Sequence, residues 1–175
     1  MREAIGGTWL FQIVIVFILL FTGFLCLSIN RSKAFNVKDQ IIQTIQSYNG
    51  IDLTSEYEDG EEGPLADIIS YISSNSYRTT GNVPEPEKVG DDIVEYVCYT
   101  RDGRITTSNP VFCIAPIRVD SEGCASGAGY CFNELPDMTY YRVVVFYQLD
   151  LPIFHDLFNF KIVGDTKTLF GGASV

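Results

Sequence analysis

The chain has 175 residues, 46% of them hydrophobic, and sets 12 Lys and Arg against 22 Asp and Glu for a formal charge of -10. Such an acidic balance repels phosphate backbones, which excludes nucleic acid as an expected partner. With no repeat and no low-complexity tract, the length suits one domain joined to an unusual amino-terminal run.

Residues 9–28, WLFQIVIVFILLFTGFLCLS, are twenty positions without a charge. As a helix they rise about 30 Å, the hydrocarbon thickness of a bilayer. Fourteen of them are Leu, Ile, Val or Phe. Each favours insertion by roughly 0.3–0.6 kcal/mol, and the sum of about 4–8 kcal/mol outweighs Gln12 and the small polar residues. The run is longer than the core of a cleavable secretory signal and ends in Ser28-Ile29-Asn30-Arg31 rather than in a small-x-small site, so a retained anchor in membrane lipid is expected. A core helix of a soluble protein would show a polar stripe, and this run has none.

No proline interrupts residues 29–49, where Ala34, Val37, Ile41, Ile45 and Tyr48 recur at helical spacing with Gln40, Gln43 and Gln46 between them. Asn49-Gly50 supplies a stop that tolerates a left-handed backbone. One helix of roughly 60 Å is therefore expected, its first half in lipid and its second half amphipathic. The stripe from Ala34 to Tyr48 is a helix-packing face, laid on the chain's own domain or, alternatively, on a second chain. The expected division is a leader and anchor over 1–28, an amphipathic continuation over 29–50 and an extracytoplasmic α+β domain over 51–175.

The acidic stretch EYEDGEEG lacks the alternating oxygen ligands of a calcium loop and reads as a solvated linker. Pro64 then opens a second helix over 64–75 with Leu65, Ile68, Ile69 and Ile72 on one side. Residues 79–90, with Gly81, Pro84, Pro86 and Gly90, are expected to be irregular. Strands follow over 93–101 and 104–108, hinged at Asp102-Gly103, and over 111–119 with a break at Pro116. The run TYYRVVVFYQL over 139–149 reads as a central strand buried on both faces, and 157–163 adds another. The fold class expected is α+β, a long transmembrane-plus-amphipathic helix packed on a four- to five-stranded antiparallel sheet.

Two signals bear on which side the domain occupies. Arg31, Lys33 and Lys38 follow the apolar run while Arg2 precedes it, which favours a cytoplasmic domain. Cys98, Cys113, Cys124 and Cys131, an even set outside the lipid run, favour disulfides in an oxidising compartment, and we weight them more heavily than a bias of a few charges. Four cysteines allow three connectivities. Proximity suggests Cys124 with Cys131, leaving Cys98 with Cys113; the spacings lack the paired knuckles of a zinc site.

No chemistry-bearing motif stands out. His155, the one histidine, neighbours Asp156, but adjacent strand residues point to opposite faces and no nucleophile accompanies them. Carboxylate pairs such as Asp91-Asp92 or Glu85 and Glu87 lie among turn residues. Phosphate-binding loop, nucleophile-elbow, zincin and dinucleotide fingerprints are all missing, so neither an enzyme nor a cofactor is expected, and no metal either.

Two segments carry a resemblance. The opening MREAIGG before TWLFQ is similar to a short prepilin leader, a basic residue and then Gly7 directly before the apolar run, which implies cleavage between Gly7 and Thr8. Gln12 stands where that family carries a glutamate at the fifth mature position. Residues 142–164, RVVVFYQLDLPIFHDLFNFKIVG, resemble the C-terminal signature of TadE-like pseudopilins, a Val- and Tyr-rich strand running through a Pro-containing turn into a last strand. The resemblance implies a minor pilin or pseudopilin of a tight-adherence or type IV-like system, a cell-surface component of filament assembly. Its implied partners are other pilin-like subunits and a membrane assembly platform. The alternative is a single-pass anchored extracytoplasmic module that binds a small molecule or a protein.

Overall fold

A computed structural model describes residues 2–58, 60, 62–75, 81–89, 92–119, 138–148 and 159–170. Helix α1 (Arg2–Ser47) has 46 residues and is about 69 Å long at the usual rise per residue. It ends where the sequence places a stop: Asn49 sits at φ 57° and Gly50 at φ 135°, and the Gly50 amide reaches back to the Ile45 carbonyl at 2.9 Å. The Asn49 side-chain amide also donates to the Phe170 carbonyl at 3.1 Å, tying the helix end to the last strand.

Helix α2 (Pro64–Ser74) starts at the expected proline and buries Leu65, Ile68, Ile69 and Ile72. A small antiparallel pair, β1 (Glu87–Val89) with β2 (Asp92–Val94), precedes the main sheet. In that sheet β3 (Val97–Tyr99), β4 (Phe112–Val119), β5 (Met138–Gln148) and β6 (Asn159–Asp165) lie side by side in sequence order, every pairing antiparallel. The short β7 (Leu169–Phe170) pairs with β5 at Met138 and Thr139, just beyond the reach of β6. One long apolar amino-terminal helix and an antiparallel sheet make this an α+β fold.

The central position of β5 follows from its composition: Val143, Val144, Val145, Phe146 and Tyr147 are all buried, so both faces are covered. Four expectations about the strands need correction. Residues 79–90 are not wholly irregular, since Glu87–Val89 pair with Asp92–Val94. The strand expected over 93–101 is two strands in separate sheets, and no strand returns over 104–108. Instead Ile105 makes a single bridge to Tyr99; Thr106 then turns the chain by accepting from the Ser108 amide at 3.1 Å, and β4 takes the pairing with β3.

Pro116 does not break β4. Its partner Tyr141 spends its amide and carbonyl on Thr166, so Pro116 and Tyr141 face each other as a pair that exchanges no backbone bonds. The missing proline N–H therefore points toward the β3 side, where the pairing has already ended at Ile114.

Candidate functional site

The feature with the clearest functional content is α1 itself, whose two halves have different surroundings. Between Trp9 and Leu25 the large apolar side chains stand in the open, Trp9 at 69% exposure and Leu20 at 69%. Among the described residues this is the helix long and apolar enough to cross a membrane, which fits an anchor. The backbone runs as helix through Gly7 and Thr8.

Above the run the helix becomes the spine of the domain. Ala34, Val37, Ile41 and Ile45 are at most 1% exposed and share one core with Ile68 and Ile72 of α2 and with Tyr141, Val143 and Val145 of β5. Burial of an Ile or Val side chain contributes roughly 1.5–3 kcal/mol, so this row fixes the domain on the helix. Tyr48, the last residue of the expected stripe, lies beyond the helix end and is half exposed. Its hydroxyl donates to Asp67 Oδ2 at 2.9 Å, and that bond raises the phenol's pKa because ionised Tyr48 would face the carboxylate without a proton to share.

On the opposite face of the sheet lie Gly81, Val83, Val94 and Tyr96. Cys98 and Cys113, directly opposite across β3 and β4, form a disulfide buried with Val144 and Phe146. Its presence fits an oxidising compartment. Arg142 emerges from β5 on this side and clamps two carboxylates, Glu87 Oε2 at 2.8 Å through Nη1 and Asp165 through Nε at 2.9 Å and Nη2 at 3.3 Å. The Asp165 bonds come first in holding the guanidinium charged. Tyr96 donates to the same Glu87 oxygen at 3.2 Å; burial first, then that carboxylate, raises its pKa.

Two clefts open near the second helix. The larger, ≈ 690 Å³, lies between Tyr57, Ile69 and Ser73 on one side and Arg101 and Arg104 on the other. The smaller, ≈ 270 Å³, sits between the end of α1 and the start of α2 and is lined by Tyr48, Asp52 and Glu62 among others. Asp52 is already committed, since the Thr54 hydroxyl and amide both donate to it and hold its pKa below the usual carboxylate range. Among the described residues no group of His, Cys, Asp and Glu could hold a metal ion.

Cys124, Cys131 and His155 lie outside the described residues, as does the turn within the 142–164 signature. No family model, no curated protein and no solved structure matches the chain. The sequence reading missed Arg142 and Gly81. Arg142 interrupts a mostly apolar central strand, a signal that a partly buried cation there needs partners. Gly81 had no signal beyond its place in a Gly- and Pro-containing stretch.

Proposed function

We propose that the protein is a membrane-anchored structural subunit, a minor pilin or pseudopilin that helps assemble or tip a surface filament, with its domain outside the cytoplasm. The observation that carries this reading is the division of one continuous helix into an unpartnered apolar half and a half that forms the core of an antiparallel domain. An apolar shaft of this kind exchanges lipid for like shafts at little cost, because hydrocarbon and packed apolar side chains solvate it comparably. The buried disulfide supports the outside placement, and the prepilin-like Gly7-Thr8 junction supports processing ahead of the shaft. Neither catalysis nor a cofactor belongs to the reading.

Membranes carrying the full chain with Cys26→Ser and Val16→Cys test it by oxidative cross-linking together with amino-terminal sequencing. A cross-linked dimer and a mature chain beginning at Thr8 are expected. Monomers only, with residues 1–7 retained, would sink the filament reading. The cleft of ≈ 690 Å³ favours the second reading, an anchored binding module, since its size lies within the usual range for small-molecule sites. That module would leave the shaft monomeric in the same experiment.

A further inference from the structure

We infer that Arg31, Phe35 and Lys38 form a collar that holds the phosphate of an anionic glycerophospholipid headgroup at the outer membrane surface. The inference rests on the membrane-spanning reading of α1 and not on filament assembly. Positions 31, 35 and 38 share one flank of the helix, beside the row that packs on the sheet. The Arg31 guanidinium lies 5.5 Å from the centroid of the Phe35 ring, and the Lys38 ammonium lies 5.1 Å from the same centroid. Two cations on one flank of the helix thus share a single partly exposed ring.

Lys38 is aimed there by its surroundings. Side chains on a helix lean toward its amino terminus, which turns this one down toward the membrane. The whole side chain is mostly enclosed, at 14% exposure, and its stem crosses the bare backbone of Gly164 in β6; a Cβ on Gly164 would come within 2.7 Å of Lys38 Cδ. Asp39 Oδ1 meets the ammonium at 2.9 Å, leaving it other donor directions and leaving Arg31 as the more exposed cation.

Height selects the lipid as occupant. Arg31 lies about 4.5 Å along the helix axis beyond Ser28, inside a polar layer roughly 5–8 Å deep, and Phe35 and Lys38, about 10.5 and 15 Å beyond it, approach that layer through side chains that lean back toward the amino terminus. Net charge makes the site distinguishable from background. A chain of formal charge -10 is repelled by an anionic surface as a whole, so a preference for anionic lipid must come from a local cluster.

The full chain in bilayer nanodiscs containing equal phosphatidylglycerol and phosphatidylcholine provides the test, with retained lipids counted by native mass spectrometry. Enrichment of phosphatidylglycerol is expected for the unaltered chain. It should fall about fivefold for Arg31→Gln and again for Arg31→Gln with Lys38→Gln, following the usual surface energy per basic residue. Phe35→Leu and Gly164→Val, which keep every charge, should lower it as well, whereas Arg101→Gln with Arg104→Gln should leave it unchanged. Stable insertion with equal retention of both lipids overturns the collar alone, as does an equal loss in the Arg101 and Arg104 variant. Release of the chain by alkaline carbonate overturns the membrane reading and the collar with it.

Discussion

The two halves of α1 are equally helical, yet one packs a row of side chains into the protein and the other does not. Residues 9–28 are apolar on every side, so no arrangement of a small sheet could cover them; only a solvent that surrounds the helix, or a ring of other helices, can. Residues 34–45 place Ala34, Val37, Ile41 and Ile45 on one side with glutamines and Asp39 elsewhere, and a single sheet face suffices. Being apolar somewhere along its length does not say what a helix packs against. The angular width of its apolar surface does.

That contrast can be broken most directly by equal truncations in the two halves. Ile41→Ala removes side-chain atoms from the fully buried row and is expected to destabilise the domain by about 2–5 kcal/mol in urea unfolding followed by tyrosine fluorescence. Leu19→Ala, at a position 52% exposed, should change the same transition by less than about 0.5 kcal/mol. Equal losses would mean that the shaft and the domain unfold as one unit.

A second contrast lies between the two sheet faces, the helix-covered face being held by packing and the other by a covalent link. Replacing Cys98 and Cys113 by Ala opens a link with a sequence separation of 15 and is expected to cost about 3 kcal/mol, measured as a lower urea midpoint. The α1 face should remain folded in that variant, so the exchange protection of Val143 and Val145 amides should outlast that of Val97 and Tyr99 in β3. Uniform loss of protection would show that the disulfide holds the whole sheet.

Gly81→Ala probes the same face without touching the disulfide. A Cβ there would overlap the Phe146 ring, and Phe146 is itself enclosed, so overpacking of about 1–3 kcal/mol is expected by thermal unfolding. An unchanged melting temperature would mean that residues 81–83 lift off the sheet easily.

What could be read from the sequence divides along the same physical line. The buried row of α1, the four apolar residues of α2 and the two-sided burial of β5 each rest on a period within one element, and each is visible in its own residues. Tyr48 fits the period but misses the core, because the helix ends at Ser47 and its hydroxyl reaches Asp67 of α2 instead. The β1 and β2 pair was hidden because three-residue strands among Glu, Lys, Gly and Asp carry no alternation. The roles of Gly81, Gly164 and Arg142 depend on segments far away in the chain, and local pattern has no access to them.

The smallest effect tests how tightly the linker after α1 is drawn onto the core. Tyr99 is buried beside Phe112, and its hydroxyl donates to the Leu53 carbonyl at 3.3 Å. Burial first, and then the negative charges of Asp52 and Glu56, push its pKa up to about 12. A phenol raised above its unfolded value of about 10 keeps its proton longer in the native chain, so its contribution is intact below that value and declines as pH rises toward the folded one. Tyr99→Phe removes the titration along with one hydrogen bond, at a cost of about 0.5–1.5 kcal/mol near neutrality. The stability gap between the two chains should therefore narrow with rising pH in the alkaline range. A gap that stays constant there would place the Tyr99 hydroxyl in water, with the segment around Leu53 standing away from the sheet rather than sealing it.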